Sequence, residues 1–273
     1  MHSATVSMLL PAEKTVPFYE SFLLQYSLVV SSNLIIFELV SNSTEEQIFR
    51  LFEEYHGQID DHKKKNMLLT AMMIESNAPQ TNEIRGLSLD KFFLSMAIDK
   101  KSAKFILSSF INTKEFLLIY AVFEGVVKAE LMKSGILKDG KFLREKDIIS
   151  NIALKLSEKK ELFEEHLSAR SPLGKIEDIE CFWDFFTHFR HLFIHSGGYV
   201  TQKWLDQLTQ KKNNIINTIK NFECPISACF LIDSINELEL INGKMFYIGD
   251  RFSNIFRNLV VLIMESMYLV EEV

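Results

Sequence analysis

Few residues in this chain break or cross-link its backbone. The 273 residues include only 10 glycines, 5 prolines and 3 cysteines. So little glycine and proline argues against many short strands joined by tight turns. The three cysteines are odd in number and lack CxxC spacing, which argues against a disulfide framework. They indicate reduced thiols inside a cell.

The chain also lacks an excess of positive charge, because its formal net charge is −6. An RNA or DNA ligand would therefore need a local basic patch. Three lysine groups are candidates, although each is also typical of an ordinary solvated helix face: Lys63 to Lys65, then Lys100, Lys101 and Lys104, and finally Lys211 with Lys212.

Signals for export and for membrane insertion are absent from the sequence pattern. No basic N-terminal segment precedes an apolar run, and the longest apolar stretches are interrupted by Glu38 and Glu265 or are short. We therefore expect no secretory signal and no membrane-spanning segment. Together with the reduced cysteines, these features predict a cytoplasmic protein.

Apolar residues, by contrast, are abundant, at 47% of the chain, with 23 phenylalanines. They recur mostly at spacings of three and four, which predicts an all-α fold with a well-filled core. In the first part of the chain we expect one helix that begins at Pro17, one that begins at the capping sequence 43–46, one over about 61–75 and one after Ser88. In the rest of the chain we expect helices over 113–135, 145–157, 159–169, 176–195, 201–221 and 250–270.

One segment departs from the helical pattern. At 238–248, two alternating runs flank Asn242-Gly243, which predicts a single small β-hairpin. The stretch 77–86 reads as a loop and gives a soft boundary. We therefore divide the chain into an N-terminal helical extension, residues 1–86, and a helical domain, residues 87–273.

The stretch Arg190-His191-Leu192-Phe193-Ile194-His195-Ser196-Gly197-Gly198 is the most informative part of the sequence. Arginine is always cationic and offers a planar fork of donors suited to phosphate. Histidine exchanges a proton near neutral pH more readily than any other side chain. The pattern therefore indicates a site that grips or cleaves a phosphodiester.

Two plainer interpretations compete with this one. His188, His191 and His195 lie along one helical stripe, as zinc ligands do, but no HExxH or paired-cysteine pattern supplies the remaining ligands. We expect no metal and no cofactor. Alternatively, His195 and the two glycines simply end a helix, which explains His195 but not Arg190. Spacing alone favours this structural interpretation.

The geometry of an ideal helix adds a constraint. Five residues place Arg190 and His195 about 140° apart around the helix axis. They converge on one phosphate only if the helix distorts or ends before His195, or if two subunits pair and bring their motifs together.

The segment 189–205 resembles the motif region of the HEPN superfamily, whose helical domains carry an arginine, four to six intervening residues and a histidine. Arg190 and His195 match with four residues between them. His191 departs from the frequent asparagine, although histidine occurs there in some bacterial branches. The glycine turn, Val200 and Trp204 are also similar to those branches. The resemblance covers roughly residues 113–273.

The resemblance implies a HEPN-like helical bundle that dimerises and acts as a metal-independent endoribonuclease. Arg190 and His195 would be catalytic. His191 is a candidate general acid. Glu124, on the apolar helix packed against the motif helix, is a candidate orienting group. Ser196, Tyr199 and Lys203 are candidate substrate contacts, and Trp204 is a weaker one.

Three functions remain open at this point. The first is a ribonuclease in defence or toxin–antitoxin growth arrest, with RNA as substrate, a homodimer as the assembly and an antitoxin or regulatory protein as a further partner. The second is a non-catalytic HEPN-like module that binds a nucleotide or a protein. The third is a helical protein without a ligand, which accounts for the composition but not for the motif.

Overall fold

The structure, a computed structural model, describes residues 16–48, 50, 101–138, 143–220 and 225–272, with the backbone alone at 225–230 and 272. These residues form helices and contain no β-strand, which confirms the all-α prediction. The helices are α1 (Pro17–Asn42), α2 (Ala103–Lys133), α3 (Ile148–Lys155), α4 (Lys160–Arg170), α5 (Ile176–Ser196), α6 (Gln202–Lys220), α7 (Pro225–Asn236) and α8 (Asp250–Glu272). Short 3-10 turns, Glu145–Asp147 and Ser157–Lys159, precede α3 and α4.

Most helix ends lie where local signals place them. Pro17 occupies the first turn of α1, and Thr201 accepts a hydrogen bond from the backbone N–H of Trp204 at the start of α6. α2 begins ten residues earlier than predicted, because Ser102 caps it by accepting from the N–H of Phe105 at 3.1 Å. α7 was not predicted, although proline at its first position is a typical helix start.

The predicted β-hairpin is not formed by the described residues. The turn itself is present, with the N–H of Lys244 donating to the carbonyl of Ile241 and Gly243 at a φ of +77°. The segment after the turn pairs instead with the residues that follow α5, through one antiparallel bridge between Tyr199 and Met245. The second run of the predicted hairpin thus pairs with the segment around Tyr199 and not with the first run, 238–241.

The predicted helices at 61–75 and after Ser88, the loop 77–86 and the boundary at 86/87 lie outside the described residues. Within the proposed extension, α1 packs chiefly along α2. Its buried residues Phe22 and Tyr26 belong to the same core as α2 and α8. A smaller apolar cluster joins the end of α1 to the start of α2, through Val40, Ile48, Ala103 and Ile111.

The core is built from aromatic side chains around α5. Phe116 of α2 contacts Phe186 of α5 and Phe256 of α8, with ring centroids 6.3 and 4.6 Å apart. Trp183 stacks on Tyr120 at 4.6 Å. Such rings each bury a large apolar area, so their packing fixes how α5 is rotated in the bundle.

Three helices of the described part of the chain are long and apolar enough, by length and composition alone, to cross a membrane. They are α1, α2 and Asp250–Glu271 of α8, and the buried share of their apolar windows is 22%, 44% and 78%. Burial in the core accounts for the composition of α8. On α1, by contrast, Leu24, Leu28 and Leu39 are exposed. The expectation that no segment spans a membrane remains a prediction.

One ion pair lies inside the core. Arg257 of α8 donates to the carboxylate of Glu115 on α2, and both side chains are 1% exposed. The amide oxygen of Asn254 also accepts from Arg257. Burial raises the pKa of Glu115, and the charge of Arg257 opposes that rise. The pair therefore ties α2 to α8 at a point where neither group has another ionic partner among those described.

We predict that Arg257→Met lowers the free energy of unfolding by about 3–5 kcal/mol, because it leaves the Glu115 carboxylate buried without a counter-charge. The double variant Glu115→Leu/Arg257→Met should recover most of that loss. Urea denaturation of the wild type, both single variants and the double variant measures the coupling. A single Arg257→Met variant as stable as the wild type would contradict the role of the pair.

Candidate active site

The motif helix α5 continues without a break past both motif residues. It extends to Ser196 and ends at Gly197, which adopts a left-handed conformation with a φ of +57°. Arg190 and His195 therefore lie on one regular helix, about 140° apart around its axis. The sequence allows the two side chains to meet at one phosphate if the helix ends before His195. The structure does not show this, because the helix extends beyond His195.

Packing decides which residues of α5 reach the surface. Phe189, Leu192 and Phe193 are buried in the core. Between and beyond them, the side chain of Arg190 is 18% exposed, that of His191 is 43% exposed, and His195 is exposed. The apolar face thus holds the three motif side chains at the end of the helix that faces solvent.

Arg190 is held by groups on three sides. Its guanidinium donates to the carboxylate of Glu145 and lies 3.7 Å from the carboxylate of Glu124. Below it, the ring centroid of Tyr120 is 4.9 Å from the guanidinium carbon, a cation–π distance. The Tyr120 hydroxyl is fixed in turn by a 2.8 Å hydrogen bond with Thr187. The sequence leaves open whether Glu124 faces the motif helix; in the structure its carboxylate lies beside Arg190.

Glu145 connects the arginine with the first histidine. One carboxylate oxygen accepts from Arg190, and the other lies 2.6 Å from Nε2 of His191. The indole N–H of Trp183 donates to the backbone carbonyl of Glu145 at 2.8 Å, which fixes the turn. Burial raises the pKa of the Glu145 carboxyl, but the hydrogen bond from His191 and the charge of Arg190 outweigh it and lower that pKa.

His195 stands next to His191 at the open side of the site. Their ring centroids are 5.7 Å apart at an angle of 60°. The contacts give the order Glu124, Arg190, Glu145, His191 and His195 across the surface. Because an ionised carboxylate only accepts hydrogen bonds, Nε2 of His191 donates to Glu145.

The predicted substrate contacts lie at or beyond the end of α5. Ser196 is exposed in its last turn, and Lys203 is exposed in the first turn of α6. Tyr199 is 41% exposed and follows the two glycines. Among the described residues, none of these three side chains contacts Arg190, whose partners are Glu124, Glu145 and Tyr120.

Trp204 and His188 belong to the core instead. Their rings stack at 4.6 Å, the indole N–H donates to the carbonyl of His188, and Nε2 of His188 lies 3.1 Å from the carbonyl of Trp204. Burial lowers the pKa of His188. Stacking of Trp204 on an RNA base is therefore not supported. Among the described residues, no group of three His, Cys, Asp or Glu side chains is arranged to hold a metal ion.

Glu145, which contacts both Arg190 and His191, is not among the candidate residues that the sequence predicts. It lies 45 positions before Arg190, in a 3-10 turn that the sequence assigned to the start of a helix. No spacing rule links the two residues, because their contact depends on how α3 packs on α5. The only local signal is an acidic residue at a helix start, which is common for other reasons.

Comparisons with known protein families, with curated proteins and with solved structures find no match to this chain.

The arrangement can bind an oxyanion. Arg190 and His191 together already hold a carboxylate through two separate oxygens. A phosphate offers oxygens of the same kind, and arginine binds both anions through the same planar fork. The donors that hold the Glu145 carboxylate are thus of the kind that bind phosphate, and the exposed ring of His195 lies next to that of His191.

We predict that Glu145→Gln lowers the stability of the protein by about 1 kcal/mol at neutral pH, since it removes the negative charge and one of the two oxygens that accept from Arg190 and His191. Because the folded-state pKa of Glu145 is lowered, its contribution is full above the ordinary carboxyl pKa and is lost as the pH falls through the folded value. Thermal unfolding from pH 3 to pH 8 should show the wild type and the variant converging at acidic pH. A constant difference across that range would contradict the assignment.

Proposed function

We propose that this protein is a HEPN-like, metal-independent endoribonuclease that acts as a homodimer in the cytoplasm. The single observation that supports it best is the anion site, in which Arg190 and His191 share one carboxylate next to the exposed ring of His195. The resemblance of the motif supplies the reaction class. A role in defence or toxin–antitoxin growth arrest, with an antitoxin or regulatory partner, belongs to the same proposal.

The reaction uses the ribose as its nucleophile. His195 accepts the proton of the 2′-hydroxyl as that oxygen attacks the adjacent phosphorus. Arg190 stabilises the charge that develops on the non-bridging oxygens. The bond from phosphorus to the 5′-oxygen breaks, and that oxygen leaves with a proton from His191 or from His195 of the partner subunit. The products are a 2′,3′-cyclic phosphate and a 5′-hydroxyl.

The two carboxylates set the conditions for this chemistry. Besides Glu145, the Glu124 carboxylate and the ring of Tyr120 also contact the Arg190 guanidinium. When phosphate displaces the Glu145 carboxylate, these two contacts keep the arginine in place. Lys128 pairs with Glu124 at 2.5 Å, so the local charge around the arginine is balanced before substrate arrives.

The second candidate is a non-catalytic HEPN-like module that binds a nucleotide or a protein. The observation that favours it is that Arg190 is already paired within the chain, to Glu145 and to Glu124. Such an arginine can serve as a structural tie rather than a phosphate ligand. The two functions differ in whether RNA is cut, and in whether Arg190 and His195 are needed for cutting.

We predict that Arg190→Ala and His195→Ala each abolish RNA cleavage while the protein stays folded, because one removes the phosphate ligand and the other the base. The measurement is single-turnover cleavage of total cellular RNA by the purified full chain. Arg251→Ala and His166→Gln are matched controls, since Arg251 pairs with Glu237 and His166 lies on α4. Both controls should cleave at the wild-type rate.

Glu145→Gln provides a further readout on the same substrate. If the carboxylate competes with phosphate, the variant should have a lower KM for RNA than the wild type. Cleavage by Arg190→Ala or His195→Ala at the wild-type rate would show that the assigned site is wrong. Folded protein of the wild type that cuts no RNA would support the binding module.

A further inference from the structure

We infer that single-stranded RNA leaves the site over a stacking strip formed by Tyr199, Met245, Tyr247 and Phe105, with Lys101 beside it. This inference rests on the proposed function, because it names the form of RNA that the same site accepts. Three segments form the strip. Tyr199 follows the end of α5, Met245 and Tyr247 precede α8, and Phe105 lies in the first turn of α2.

The strip begins at the candidate active site. After His195 the chain turns at once, with the N–H of Tyr199 donating to the carbonyl of Ser196 at 3.0 Å. Gly198 allows this turn, with a φ of +87° and a position where a Cβ would lie 3.1 Å from the ring of Phe193. Tyr199 is therefore held four residues after His195, and it is 41% exposed.

The backbone pairing carries the strip onward. Tyr199 and Met245 form an antiparallel bridge, and side chains of such a pair lie on the same face. Flanking hydrogen bonds join Val200 to Lys244 at 2.9 Å and Phe246 to Gly198 at 2.9 Å. Along this extended segment Phe246 and Ile248 are buried. Because side chains alternate, Met245 and Tyr247 share the outward face, about 7 Å apart.

Phe105 extends the outward face to α2. Its ring lies 5.7 Å from that of Tyr247 at an angle of 61°, and it is 41% exposed. The ammonium of Lys101 lies 5.0 Å from the centroid of the Phe105 ring. From Tyr199 to Phe105 the strip is about 15 Å long, which is enough for a few unpaired nucleotides.

The chemistry of the strip favours unpaired nucleotides over other ligands. Exposed rings spaced along a surface stack on successive bases, whatever the sequence, and neighbouring lysines contact the backbone phosphates. A duplex hides the faces of its bases and offers mainly phosphate and 2′-hydroxyl groups. Single strands also supply the flexible 2′-hydroxyl geometry that in-line attack at His195 requires.

A carboxylate already neutralises the charge of Lys101 beside the strip. The ammonium of Lys101 is paired with Glu239 at 3.0 Å, and the Glu239 side chain is 74% exposed. A phosphate at Lys101 would compete with this carboxylate. Removing the carboxylate should therefore strengthen binding of RNA, whereas removing the lysine should weaken it. A strip that only supports the fold would show neither effect.

The test measures binding apart from cleavage. Labelled 12-nucleotide single strands, one of DNA and one of 2′-O-methyl RNA, lack a free 2′-hydroxyl and cannot be cut by the proposed reaction. Fluorescence anisotropy with the full chain in EDTA gives Kd for each strand, and for a duplex of the same sequence. The variants are Tyr199→Ala, Phe105→Ala and Glu239→Gln, with Tyr199→Phe, Phe105→Tyr and Leu154→Ala as controls.

We expect Tyr199→Ala and Phe105→Ala each to raise Kd for both single strands at least about fivefold, the lower limit for loss of one stacked base. Tyr199→Phe, Phe105→Tyr and Leu154→Ala should bind the single strands like the wild type, and Glu239→Gln should bind them more tightly. The wild type should bind the duplex more weakly than the single strands. The inference is overturned if both alanine variants bind the single strands like the wild type. It is also overturned if the wild type binds the duplex as tightly as it binds the single strands.

Failure of the strip and failure of the proposed function give different results. If RNA is cleaved but the alanine variants bind single strands normally, the strip is wrong and the nuclease stands. If no RNA is cleaved but single strands bind with the expected dependence on Tyr199 and Phe105, the strip stands and the chain is a binding module.

Discussion

The Glu145 carboxylate holds the exposed end of the motif helix together. Its two oxygens join Arg190 and His191, and its backbone carbonyl accepts from Trp183. The hydrogen bond from His191 and the charge of Arg190 lower the pKa of its carboxyl. Without it, Arg190 would keep only the more distant Glu124 carboxylate and the ring of Tyr120. The conformation of the candidate site therefore depends on one residue outside the motif.

The same contact shows how the proposed phosphate site is compatible with an acidic protein. With a net charge of −6, the chain as a whole does not attract RNA. Affinity must come from local geometry, and two cationic or proton-donating groups already directed at one anion provide it. The aromatic core behind them keeps α5 from rotating when that anion is exchanged, since Phe186 and Trp183 are each packed against α2 and α8.

Local features of the fold were predictable because local physics decides them. The apolar spacing and the Gly197-Gly198 turn locate α5 almost to the residue, and Pro17 locates the start of α1. The sequence does not decide whether Glu124 faces the motif helix, and its position beside Arg190 comes from the packing of α2 on α5. Features set by distant partners were not predictable: the turn at Asn242-Gly243 forms, but its second run pairs with Tyr199 rather than with the first run.

The site shows the same division. Arg190, His191 and His195 are visible in the sequence because they lie within six residues. Glu145 is not visible in the sequence, because only the packing of α3 on α5 brings it to these residues. Trp204 is a candidate base contact in the sequence, but in the structure the ring of His188 stacks on it. A sequence pattern can thus name reactive side chains, but their partners come from tertiary structure.

The most direct test of the central claim is the chemistry of the ends that the wild-type protein leaves on RNA in the presence of EDTA. Attack by the 2′-hydroxyl, with Arg190 on the phosphate and His195 as base, predicts 2′,3′-cyclic phosphate and 5′-hydroxyl ends. Fragments with 3′-hydroxyl and 5′-phosphate ends would contradict this account, because they require water rather than the ribose as the nucleophile.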